Sequence, residues 1–158
     1  MAPWKKDPDK SYLHLGTSDE HLSLMEHLAG VHSRLSAVVV TTPQAVALMD
    51  VLKCVSFTRV VNLPILGLIE NMSGYVCPCC GEVSNVFSTG GGAEMARKEE
   101  LRFLGSLPVD TELVSLLDGG SEENCKFSLL EKYENTASAK LFKNIIEKVL
   151  KGLGAEML

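Results

Sequence analysis

The chain has 158 residues, 46% hydrophobic, 22% charged and 6% aromatic, which is enough for one domain with a real core. Fifteen basic side chains against twenty acidic ones leave a formal charge of -5, which offers nucleic acid no broad basic face. No apolar run reaches bilayer-spanning length, and the opening MAPWKKDPDK lacks the features of a signal or transit peptide; no membrane role is expected, and the expected compartment is the cytoplasm, where thiols stay reduced.

Residues 1–15 are polar and mixed, with Pro3 and Pro8, and are expected to form a variable, poorly ordered segment ahead of one domain over 16–158. Thr17 or Ser18 suits a helix cap, with Asp19 and Glu20 in the positively polarised first turn. Leu22, Met25, Leu28 and Ala29 then recur at helical spacing, and Gly30 suits the stop. The run SAVVVTT (Ser36–Thr42) predicts a strand covered on both faces, as in a parallel sheet. Pro43 follows as a first helical residue, leading a broad stripe of Ala45, Val46, Leu48, Met49, Leu52 and Val55 that ends by Pro64.

ILGLIE (Ile65–Glu70) predicts a second buried strand and FLGSL (Phe103–Leu107) a third. Between them, Gly90-Gly91-Gly92 lead into a helix from about Ala93. A short helix is expected over Thr111–Leu117, broken at Gly119-Gly120. Ala137, Leu141, Phe142, Ile145, Ile146, Val149 and Leu150 mark a long final helix, stopped by Gly152 and Gly154. Strands alternating with helices define an α/β fold with a parallel sheet. Three strands make it thin, so its apolar edge calls for cover by a partner or by more chain.

Of the five cysteines, Cys54, Cys77, Cys79, Cys80 and Cys125, three crowd into four residues. An odd count so arranged points to a metal or redox site rather than a disulfide framework. Cys77 and Cys80 can face one metal centre, Pro78 stiffening the turn and Gly81 admitting backbone amides. A cubane cluster or tetrahedral zinc takes four such ligands, and the chain supplies one CxxC pair. Two chains giving two thiolates each close the arithmetic. A thioredoxin-like role would place the motif at a helix start, which Val83-Ser84-Asn85 does not provide. Zinc and cluster both fit the motif. Cys54 and Cys125 read as small buried hydrophobes. His14, His21, His27 and His32 read as solvated or capping residues. No phosphate loop GxxxxGK[ST] is present, and Gly90–Gly92, with no lysine beside it, reads as a flexible cap despite the anion affinity of helix starts.

GTSDEH (Gly16–His21), VVTTPQAVAL (Val39–Leu48), GLIENMSGYVCPCCGE (Gly67–Glu82), FSTGGGAEMA (Phe87–Ala96) and FLGSLPVD (Phe103–Asp110) occur in this order. Together they closely resemble the C-terminal half of the Mrp/NUBP family, deviant-Walker ATPases related to MinD and ParA that scaffold iron–sulfur clusters. The resemblance covers about Gly16 to Gly120. It implies a partial P-loop NTPase-like α/β domain, and a 4Fe–4S cluster bridged between two subunits through Cys77 and Cys80. It further implies ATP, with magnesium, coupled to cluster loading and transfer to apo-proteins. The second subunit would be an identical copy or, in a heterotetramer, the longer NUBP-type relative.

By the same resemblance, Gly16, Thr17 and Asp19 match the segment that senses the γ-phosphate. Asn71 matches the asparagine near the adenine base, and Pro108 with Asp110 the loop closing over it. Asn71 also reads as a plain turn residue after a strand. The family's phosphate loop and Asp–Pro–Pro run have no counterpart in these residues; Ser11–Leu15 stands where the preceding strand would lie. No catalytic residue is therefore assigned, and the alternative reading is a truncated, nucleotide-incompetent dimerisation or zinc-binding module.

Overall fold

Ser18 opens helix α1 (Ser18–His27), which passes into a 3₁₀ helix (Ala29–Arg34). His27 Nδ1 donates to Ser23 O at 2.7 Å within the last turn. Gly30 falls inside the 3₁₀ helix and shows no left-handed φ, so the stop expected there does not form. These elements belong to one compact unit, Met1–Leu35, and the rest of the chain, Ser36–Leu158, forms another. The computed structural model describes residues 18–77, 83–85, 88–118, 132–134 and 136–156; the expected break at Gly119-Gly120 and Cys125 lie outside them.

In the second unit, β1 (Ala37–Thr41), β2 (Ile65–Glu70) and β5 (Phe103–Ser106) build one sheet in the order β1–β2–β5. Both pairings are parallel, with Val39 opposite Leu68 and Glu70 opposite Ser106. Between β2 and β5 come two short strands, β3 (Tyr75–Val76) and β4 (Val83–Ser84), and helix α3 (Gly91–Lys98). Helix α2 (Ala45–Val60) links β1 to β2, and α4 (Thr111–Asp118) and α5 (Ala137–Glu156) follow β5.

The α/β class therefore stands, with three differences at element ends. Gln44 is the N-cap of α2, and Leu48 N donates to Gln44 O at 3.0 Å, so Pro43 sits one residue before the cap and not in the helix. Helix α3 starts at Gly91 because Gly90, at φ +81°, takes the left-handed cap conformation. Helix α5 continues through Gly152 and Gly154 to Glu156. A helical glycine is disfavoured by only about 1 kcal/mol, which the packing of α5 on β2 and β5 can offset.

The core lies on both faces of β2. On one face Val39 and Leu68 meet Val55 of α2 and Met95 and Ala96 of α3. On the other, Ile69 and Leu104 meet Ile145 of α5, with Leu107 and Val149 beside them. Lys148 Nζ also donates to Leu104 O at 2.6 Å, tying α5 to the edge strand. Coverage of β1 is one-sided: Val39 is buried, whereas Val40 is 54% exposed and Val38 37%. The expectation of two covered faces fails at β1 because α5 spans only β2 and β5.

Candidate functional site

Tyr75 pairs with Ser84 and Val76 with Val83, so β3 and β4 form a two-stranded antiparallel ribbon. Paired strands run about 5 Å apart, so the ribbon holds the two ends of the 77–82 connection close together. Cys77 directly follows β3 and is half-buried. Cys80 lies outside the described residues. Among the described residues after the motif, Val83–Ser84 form a strand and not a helix start, as expected from Val83-Ser84-Asn85.

The ribbon is rooted on the carboxyl ends of β2 and β5. Leu107 N donates to Glu70 O at 2.8 Å, Ser73 N to Leu107 O at 2.9 Å, and Val109 N to Gly74 O at 2.8 Å. Tyr75 forms a parallel bridge with Val109. The stretch from Asn71 to Cys77 thus runs beside the stretch carrying Pro108 and Asp110, and the fold gathers these four sequence-predicted residues beyond the carboxyl end of the sheet. Ligands of open α/β sheets settle at such strand ends.

Asn71 uses its backbone N–H on Thr41 O at 2.7 Å, and its Oδ1 accepts from Met72 N at 2.9 Å. Met72 takes φ +57°, a left-handed conformation that the asparagine-led turn supports. Asp110 stands at the head of α4, where Oδ1 accepts from Leu113 N at 3.0 Å. Its Oδ2 accepts from Ser138 Oγ at 2.6 Å and Ser138 N at 3.2 Å, at the start of α5. Burial by itself would raise this carboxyl, but the Ser138 hydroxyl and the amides of Leu113, Ser138 and Glu112 outweigh it and hold the group below its ordinary value. Asp19 lies in the first turn of α1, in the Met1–Leu35 unit; Gly16 and Thr17 lie outside the described residues.

Glu70 is the residue that sequence reasoning passed over. It is fully buried at the end of β2. Oε1 accepts from Ser73 Oγ at 2.6 Å and Gly90 N at 3.3 Å, and Oε2 accepts from Gly92 N at 2.5 Å. The glycine triplet is therefore no flexible cap. Any Cβ at position 92 would sit 2.9 Å from Glu70 Oε2 and 3.0 Å from its Cβ, so glycine is what lets the helix start reach the carboxylate. A helix start with an anion affinity is here occupied by the chain's own anion. The signal was available: an acid ending an apolar strand needs donors. A second correction concerns Cys54, expected to be buried; it is exposed, because Val55 and Thr58 take the inward positions of α2.

A parallel α/β sheet with polar loops at its strand ends, and a cysteine-bearing ribbon rooted there, is the architecture of a nucleotide-binding type of domain. Comparison with known proteins specifies it further. Residues 14–150 match the family model described as ParA, NUBPL iron-transfer P-loop NTPase, and the chain belongs to that family. It is 50% identical over 133 residues to the cytosolic Fe-S cluster assembly factor CFD1 of Yarrowia lipolytica, covering 84% of this chain and 44% of that protein. It is 44% identical over 135 residues to the cytosolic Fe-S cluster assembly factor NUBP2 of Bos taurus, covering 85% and 47%. Among solved structures it is similar to the nucleotide-binding protein of Archaeoglobus fulgidus in complex with ADP, at 32% identity and a TM-score of 0.55, covering 73% of this chain and 46% of that one. The chain thus spans a little under half the length of these relatives.

Proposed function

We propose that this chain acts in cytosolic iron–sulfur cluster assembly, as a scaffold that holds a 4Fe–4S cluster between two subunits and passes it to apo-proteins. Cys77 and Cys80 supply two thiolates from each chain, and a second copy or the longer NUBP-type relative supplies the other two. The observation that carries this reading is the β3–β4 ribbon, which ties both ends of the 77–82 connection at one sheet end. A bridging cluster completed by a second subunit is one that can also leave when that subunit parts from this one. The relatives named as cytosolic Fe-S assembly factors support the cargo and the compartment.

Nucleotide enters the proposal at Asn71, Pro108 and Asp110, with Gly16, Thr17 and Asp19 as the γ-phosphate sensor. Because this sequence lacks a phosphate loop, ATP with magnesium would be held only together with residues from outside these 158. The adjacency of the Asn71 and Pro108–Asp110 stretches, and the bridge from Tyr75 of the ribbon to Val109, supports coupling between nucleotide and cluster.

Anaerobic reconstitution with iron and sulfide tests the scaffold. The expected product is a dimer with about two iron atoms per chain and a broad visible absorption. Cys77→Ser and Cys80→Ser should each abolish both. A monomer that holds its metal at full occupancy would refute the bridge, and stoichiometric zinc with no uptake of iron would favour the zinc-binding module instead.

A further inference from the structure

The donors to Glu70 share a topological property. Ser73 lies just before β3, and Gly90 and Gly92 lie at the start of α3, so they come from the two roots of the excursion that carries the cysteines. We infer that Glu70 is a positioning residue for the cysteine ribbon, clasping both roots to the end of the central strand. The inference rests on the reading of Cys77 and Cys80 as cluster ligands.

Among the described residues the three donors are uncharged, and there the carboxylate is held by hydrogen bonds and by the positive end of α3. The geometry makes the clasp specific to the ribbon. The backbone bonds of the sheet, such as Asn71 N to Thr41 O and Leu107 N to Glu70 O, do not use the Glu70 side chain. Loss of the carboxylate strands two amides of the first turn of α3, which have no acceptor within their own helix, and frees the Ser73 hydroxyl. Both roots then loosen while the strands stay paired. Ligand-orienting groups behind a metal site typically change metal retention without touching the metal.

The test compares wild type, Glu70→Gln and Glu70→Ala in two measurements. The first is amide hydrogen exchange of the apo-protein. Glu70→Ala is expected to speed exchange at Val76, Ser84, Gly90 and Gly92 by about tenfold or more, leaving Val39, Leu68 and Leu104 unchanged. The second is retention of reconstituted iron against a chelator, which Glu70→Ala should weaken by about tenfold. Glu70→Gln keeps the shape and a carbonyl acceptor for Gly92 N while its amide donates to Ser73 Oγ and only Gly90 N loses its acceptor, so it should restore most of the iron retention and of the protection at Val76, Ser84 and Gly92. Unchanged ribbon exchange in Glu70→Ala overturns the clasp, as does exchange raised across the whole sheet. Glu70→Gln as impaired as Glu70→Ala also overturns it. If wild type takes up no iron, the cluster reading fails, and the exchange pattern alone decides the clasp.

Discussion

Asp110 binds the heads of two helices at once, with Oδ1 on Leu113 N of α4 and Oδ2 on Ser138 of α5. Its sequence neighbourhood implied a loop over a base; the side chain's bonds add a cap that joins two helices. Removing such a cap costs about 1 kcal/mol, so Asp110→Ala should lose about that much unfolding free energy at neutral pH, read as a lower urea midpoint at unchanged slope. Asp110→Asn keeps the capping oxygen but loses the titration. The carboxyl is more acidic folded than its ordinary value of 3.8, so its ionised form favours the fold. That contribution is whole above the ordinary value and is lost as pH falls from there through the lowered one. A plot of melting temperature against pH should therefore fall less steeply below about pH 4 in Asp110→Asn. An identical slope in both proteins would assign the acid sensitivity to other carboxylates.

Helices α3 and α5 divide the work of covering β2, and each depends on one close contact. At Gly92 of α3 a methyl group would press on the Glu70 side chain. Overpacking of this kind destabilises by about 1–3 kcal/mol, so Gly92→Ala should show that loss in chemical unfolding despite alanine's better helix propensity. An unchanged midpoint would mean that α3 can slide along the sheet. On the opposite face Ile145 is 3% exposed and plugs the space between Ile69 and Leu104. Ile145→Ala should cost about 2–4 kcal/mol, whereas Ile146→Ala, at 42% exposure, should stay within about 0.5 kcal/mol. Equal losses at the two positions would contradict the facing assigned to α5. The periodicity of the sequence marked both isoleucines as apolar but did not say which faces the sheet.

As a whole, the Ser36–Leu158 unit is covered on both faces of β2 and on one face of β1. The prediction at this scale is a contrast between adjacent residues. Val39→Thr places a hydroxyl in the α2–α3 core and should cost about 1–3 kcal/mol. Val40→Thr, at 54% exposure, should change stability by less than about 0.5 kcal/mol. Circular dichroism melts of the two variants distinguish a one-sided strand from the two-sided one that SAVVVTT implied. Continuous β-branched runs signal burial on both faces in parallel sheets, and β1 carries such a run with Val38 and Val40 exposed among the described residues.

The residues by themselves determined the class of fold and the order of its elements, because those follow from local periods and turn chemistry, and the spacing of thiols along the backbone is what nominates Cys77 and Cys80 for the proposed cluster. They also carried enough linked motifs to place the chain in its family. Only the tertiary structure decided that the stretches carrying Asn71, Cys77, Pro108 and Asp110 meet at the carboxyl end of the sheet, that the glycine triplet rests on Glu70, and that Val39 is buried where Val38 and Val40 are exposed. Those facts depend on hydrogen bonds between residues some twenty to forty positions apart, as between Glu70 and Gly92 or between Lys148 and Leu104. A one-dimensional pattern records which groups need partners, and the packed chain alone selects which partners they meet.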